Sequence, residues 1–232
     1  MKLLLASTSS IHGHSYLNYF KNAWINHFTG LKGPVIFVPY ARPGGISWDN
    51  YTSLAAEAFN SQGIELKGIH TYNKTSDAIK EAGGFFIGGG NTFVLLKTLI
   101  ENGSFYEIDK AVREGKPYMG SSAGTNIAGT SIGTTNDMPI EYPPTFKAFN
   151  WVPFNINPHY QDPIENSTHM GETREARIQE FHAYNKTTVI GLREGSYILS
   201  NGIDHFLEGE LSARVFKPGN SPFEIEKGPL SI

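Results

Sequence analysis

The sequence predicts an α/β fold of three layers, in which a mostly parallel sheet is covered by helices on both faces. Two observations predict it. Short, near-continuous apolar runs alternate with amphipathic stretches over the first two thirds of the chain, the pattern of strands buried on both faces and joined by helical crossovers. Two of those runs end in glycine-rich turns, Gly88-Gly89-Gly90 and Gly120-Ser121-Ser122-Ala123-Gly124, and each turn leads into a helical pattern.

The strands fall at residues 2–6, 34–40, 64–70, 84–88 and 117–121. Between them, helical spacing runs near 16–28, 49–60, 92–101 and 104–114. Asn102-Gly103-Ser104 separates the last two with a helix stop followed by an N-cap. A further helix is expected over 172–184, and the tail from residue 187 reads as several short strands with glycine-containing turns. Nothing in the chain reads as a repeat or a linker, so one domain is expected over 1–232.

Prolines gather between 129 and 163 (Pro139, Pro143, Pro144, Pro153, Pro158 and Pro163), which predicts a long irregular stretch. Tyr142, Phe146, Phe149, Trp151 and Phe154 favour order there, and hence a wall or lid over a site.

Composition excludes several classes. With 39% hydrophobic residues in 232, the chain can bury a sizeable core. The formal net charge is −3 and no block of like charge appears, so no nucleic-acid footprint is present. The absence of cysteine removes disulfides, a thiolate nucleophile and Cys-ligated metal sites. The apolar run at Leu3-Leu4-Leu5 is too short for a signal peptide, and no apolar stretch approaches the ~20 residues of a membrane span. The expectation is a cytoplasmic protein without metal or cofactor, acting on a small substrate as a monomer or homodimer.

Gly120-Ser121-Ser122-Ala123-Gly124 fits G-x-S-x-G between a strand and a helix start. That turn makes room for a strained serine and exposes its Oγ above the carboxyl ends of the strands. Ser122 is the candidate nucleophile; the plainer reading is a tight small-residue turn. Ser121 lies off the motif's centre. A serine attacking a carbonyl also needs backbone donors for the oxyanion. The Gly88–Asn91 run supplies them, with Gly90 and Ala123 the favoured N–H groups and Asn91 or Thr92 able to cap the next helix. Phosphate binding is the rival for this loop, but it lacks the Lys-Ser/Thr pair of a P-loop and does not match G-x-G-x-x-G.

Activation needs a base. Of the eight histidines, His27, His70, His182 and His205 lie in or beside regular elements, and His12 and His14 share an early loop. His159 stands apart at a strand end, in Asn157-Pro158-His159-Tyr160. A carboxylate should orient its imidazole. Glu194, ending the apolar run Val189-Ile190-Gly191-Leu192, competes for that role with Asp137 and Asp162.

These same segments, in the order FIGGGNT, GSSAG, NPH, GETREARI and LREG, resemble the peptidase E family of aspartyl dipeptidases, over almost the whole chain. The resemblance implies a scaffold like that of class I glutamine amidotransferases and flavodoxins, and a metal-free serine peptidase with the triad Ser122, His159, Glu194. It also implies that Asp137 matters to activity, either tuning the site or holding the substrate's amine. The implied reaction is hydrolysis of short peptides, chiefly dipeptides, with an N-terminal aspartate. Ser121 is a departure, because some members carry a bulkier residue there.

The aspartyl carboxylate of such a substrate calls for arginine, whose planar fork matches it. Arg174 and Arg177 share a helix face, and Arg174 is favoured; the plainer reading is an ion-pair ladder with Glu172, Glu175 and Glu180. Dipeptide restriction follows if 139–154 closes the cleft. Two alternatives stand beside this reading. One is a cyanophycinase-like peptidase on the same scaffold, and the other is a binding protein that retains the elbow without catalysis.

Overall fold

The computed structural model describes residues 1–164, 168 and 170–232. Its apolar runs form strands whose successive side chains point to opposite faces, so each strand feeds two cores at once. Strand β1 (Leu3–Ala6), β2 (Val35–Val38), β4 (Gly84–Ile87) and β5 (Tyr118–Ser121) are buried along their whole length, with β3 (Leu66–Gly68) beside β2. They run parallel in the order β1-β5-β4-β2-β3. Leu4, Phe37, Phe86 and Met119 pack on one face against α1 (Lys21–Phe28) and α2 (Trp48–Asn60). Leu5, Ile36, Ile87 and Tyr118 pack on the other face against α3 (Thr75–Glu81), α4 (Thr92–Glu101) and α5 (Ser104–Arg113). The three-layer architecture is therefore present.

The tail extends this sheet and builds a second one. Antiparallel strands β8 (Ser196–Ser200), β9 (His205–Gly209) and β12 (Gly228–Pro229) continue the main sheet outward from β1. A four-stranded sheet has the order β11-β10-β7-β6, formed by β6 (Asn155–Pro158), β7 (Val189–Leu192), β10 (Ala213–Phe216) and β11 (Phe223–Ile225). Helix α7 (Arg174–Tyr184) packs Ile178 and Phe181 against Val189, Phe216 and Tyr160.

Four features differ from expectation. The first helix starts at Lys21 rather than 16, because Leu17 takes a φ of +59° and donates its N–H to Ser9. The third strand is short and turns at once into a 3₁₀ segment, Ile69–Thr71. Helix α3 was hidden in a brief polar stretch. Within the irregular segment, Phe149, Trp151 and Phe154 do not wall a site. Phe149 and Trp151 stack at 4.0 Å and close the core over Tyr118, whereas Met138, Ile140, Tyr142 and Phe146 are exposed. Among the described residues no helix is long and apolar enough to cross a membrane.

Candidate active site

The elbow is made by close backbone approach. A Cβ on Gly120 would meet the Gly124 carbonyl oxygen at 2.5 Å, and one on Gly124 would meet that of Ile87 at 2.2 Å. Only glycine fits at both. Ser122 between them holds φ +53° and ψ −110°, outside the regions a side chain normally accepts. The turn is anchored from three sides: Ser122 N–H donates to Ala6 at 3.2 Å, Thr125 Oγ1 to Ala6 at 2.6 Å and Asn126 Nδ2 to Ile156 at 2.7 Å. The helix it opens, α6 (Ala123–Asn126), has four residues, so any macrodipole behind Ser122 is slight and single N–H groups matter more. Ser121 points its buried hydroxyl into the fold, away from any described partner.

The second sheet delivers the other two groups. His159 follows β6 and Glu194 follows β7, and these strands are parallel neighbours. His159 Nδ1 lies 2.6 Å from Glu194 Oε1, and Nε2 lies 2.9 Å from Ser122 Oγ. An ionised carboxylate can only accept, so the ring proton sits on Nδ1 and Nε2 is left to accept from the Ser122 hydroxyl. Asp162, the rival orienter, is engaged elsewhere. Both its oxygens accept from Arg193, at 2.8 and 2.7 Å, and Arg193 also reaches Glu224 at 2.8 Å. That guanidinium holds the Glu224 carboxyl down at about 2 and lowers Asp162 as well. The clamp therefore fixes the two loops that carry His159 and Glu194.

The glycine loop sorts its own donors. Gly88 N–H is taken by Val38, Gly89 N–H by the Tyr51 phenol and Asn91 N–H by Ala41. Gly90 N–H and Ala123 N–H have no acceptor among the described residues. A Cβ on Gly89 would lie 2.9 Å from Ser122 Cβ, which puts this loop against the serine. Asn91 takes the helix-capping role read from the sequence. Its Oδ1 caps α4 through Phe93 and Val94 N–H at 3.1 Å, and its Nδ2 donates to Met138 at 2.8 Å, so its polar groups serve the loop.

Asp137 is bound into the same helix start. Its Oδ2 accepts from Thr92 N–H (2.7 Å), Thr92 Oγ1 (2.6 Å) and Thr135 Oγ1 (2.9 Å). Arg174 is half-buried at the start of α7 and lines a small cavity of about 40 Å³ with Thr135, Asn136 and Asn157. Burial, with the Arg177 charge beside it, lowers its pKa, and Asp137 opposes that shift. The ladder reading suits Arg177, 4.0 Å from Glu172, while Glu175 pairs with Arg214 at 3.1 Å.

The remaining histidines assigned to the framework are bonded within it. His27 pairs with the Tyr118 carbonyl at 2.9 Å, His70 with Asp49 at 2.9 Å, His182 with the Thr187 carbonyl at 2.9 Å and His205 with Ser200 at 2.8 Å. His12 and His14 are exposed. Among the described residues, no group of three or more His, Asp or Glu is spaced to hold a metal ion. Sequence reasoning missed Ser7, which bridges the sheets beneath His159, and Tyr51. The only signal for Ser7 was a polar residue directly after the apolar strand β1, and Tyr51, in the first turns of α2, carried none.

A family model described as Peptidase family S51 matches residues 3–207. The chain belongs to peptidase family S51. It is thus a peptidase, and its relatives agree. A protein of Streptomyces coelicolor named Peptidase E is 45% identical over 228 residues, covering 98% of this chain and 92% of its own. A Drosophila melanogaster protein named "Probable alpha-aspartyl dipeptidase" is 45% identical over 225 residues, covering 96% and 92%. The crystal structure of a peptidase from an acI-B1 Actinobacterium superposes with a TM-score of 0.72 at 16% identity, covering 100% of this chain and 96% of that one. The fold of this S51 member is thereby shared at low identity.

Proposed function

We propose that this S51 peptidase is a serine-type dipeptidase that hydrolyses Asp-Xaa peptides through an acyl-enzyme at Ser122. The observation that carries the reading is the unbroken line from Glu194 Oε1 through both ring nitrogens of His159 to Ser122 Oγ, at 2.6 and 2.9 Å. His159 Nε2 takes the hydroxyl proton as Oγ attacks the aspartyl carbonyl carbon. Gly90 and Ala123 N–H groups receive the oxyanion. As the C–N bond breaks, His159 gives that proton to the leaving amine; water, deprotonated by the same nitrogen, then releases aspartate and regenerates Ser122. Arg174 receives the aspartyl carboxylate and Asp137 Oδ1 the substrate's ammonium, a role supported by the opposite charges of protein and substrate at one edge of the site.

The reading extends to one domain over 1–232, because the last strands pair with both sheets. We place the protein in the cytoplasm, as a monomer or homodimer acting on small peptides, and sedimentation would give the assembly state. The test of the chemistry is direct. Ser122→Ala should abolish Asp-Leu hydrolysis and labelling by a serine-directed fluorophosphonate while keeping the wild-type melting curve. Near-normal turnover in that variant would refute the scheme, and labelling without Asp-Leu cleavage in the wild type would point to another substrate, such as the aspartyl-arginine chains of a cyanophycinase-like enzyme.

A further inference from the structure

We propose that Tyr51 is a positioning residue for the oxyanion side of the site, fixing the glycine loop through its phenol so that Gly90 presents the donor. The inference rests on the serine-hydrolase reading but not on the identity of the substrate. Tyr51 lies in α2, beneath the sheet and 2% exposed. Its oxygen accepts from Gly89 N–H at 2.9 Å and sits 3.4 Å from the carbonyl oxygen of the same residue. The ring is wedged edge-on against Phe37 at 4.9 Å, and the Arg42 guanidinium lies 5.3 Å from the ring's centre.

The contacts continue without a gap from the phenol to the nucleophile. At Gly88 an added Cβ would meet the Tyr51 oxygen at 2.5 Å, so the phenol fills the place of a side chain there. At Gly89 an added Cβ would meet Ser122 Cβ at 2.9 Å and Oγ at 3.5 Å. A buried N–H must have an acceptor. With Gly88 and Asn91 tied to the neighbouring β2 end, Tyr51 supplies the acceptor for Gly89 and leaves one donor, Gly90, without a partner among the described residues. Deprived of the phenol oxygen, Gly89 N–H would have to turn toward solvent and carry the Gly90 peptide with it. Burial raises the Tyr51 pKa, so the phenol stays neutral.

The experiment compares Tyr51→Phe with wild type in Asp-Leu hydrolysis and in the second-order rate of fluorophosphonate labelling. The phosphoryl oxygen of that reagent occupies the same donors, so both rates should fall together, about ten- to a hundredfold, with KM for Asp-Leu moving less than about threefold. Phe37→Leu loosens the same packing with the hydroxyl intact. At a matched loss of melting temperature it should label within about threefold of wild type. Wild-type labelling by Tyr51→Phe overturns the proposal, as does equal slowing by Phe37→Leu. Should Tyr51→Phe fail to fold, 3-fluorotyrosine at position 51 weakens the acceptor in place; slower labelling supports the proposal and an unchanged rate overturns it. If Tyr51→Phe slows labelling and even the wild type leaves Asp-Leu intact, the dipeptide reading fails and the role of Tyr51 stands.

Discussion

The hydroxyl of Ser7 accepts a hydrogen bond from the backbone N–H of His159 at 2.9 Å. The same oxygen donates to the Leu192 carbonyl at 2.7 Å, and Ser7 N–H reaches Ser196 at 3.1 Å. One buried side chain thus ties the end of β1 to the ends of β6 and β7. Ser7→Ala takes the acceptor from the half-buried His159 N–H, at about 1–3 kcal/mol, while the Leu192 carbonyl keeps its bond from Tyr160 N–H at 3.1 Å. The expected result is a lower urea midpoint together with a roughly tenfold fall in kcat as His159 drifts from Ser122. Steady-state kinetics on Asp-Leu at saturating substrate reads it, and unchanged kcat would show that the bridge serves stability alone.

Glu194→Gln keeps the shape of the side chain but removes its charge. The amide can donate to Nδ1 and so select the tautomer that cannot accept from Ser122. Side-chain exposure is 35% for His159 and 48% for Glu194, so solvent screens the pair. We expect a loss of about a hundredfold in kcat, smaller than the ~10⁴ seen where such a carboxylate is buried. A wild-type rate would transfer the orienting role to another group.

On the proposed reading, Arg174 sets selectivity. Replacing it with methionine keeps the stem and removes the fork, so the ratio of kcat/KM for Asp-Leu over Ala-Leu should fall at least about tenfold. Arg174→Lys should fall between the two. If the ratio is unmoved in both, the aspartyl carboxylate is held elsewhere.

Acid stability should depend on His27. Burial, with Lys2 beside it, holds its pKa down at about 3, and its Nε2–H donates to the Tyr118 carbonyl. Between that value and the ordinary 6.5 the unfolded chain binds a proton that the folded chain does not. Stability is therefore complete above 6.5 and falls with pH at about 1.4 kcal/mol per unit below it. Urea midpoints of wild type and His27→Gln from pH 7 to 4 should converge as pH drops; parallel curves would assign the acid loss to other groups.

The parallel half of the fold was legible because β1, β2, β4 and β5 are apolar on both sides, which only a covered sheet explains. The second sheet was not: β6 reads Asn-Ile-Asn-Pro, and its two asparagines are buried by bonds to Ser131, Thr134 and Asn136 that no local pattern announces. Ser122 was legible because its glycines are demanded by close approach. Asn91 was legible as an N-cap because it stands between a glycine loop and an apolar helical run. Ser7 and Tyr51 act through partners more than thirty residues away, a distance no motif spans.

Ser122 and His159 both hold a φ of +53°, a conformation in which a side chain costs roughly 1–2 kcal/mol. Glycine would relax either position. In a population screened only for surviving heat, variants that abandon Ser122 would outgrow those that keep it, so a laboratory lineage bred for thermal endurance must also be made to live on what it cleaves if it is to remain an enzyme.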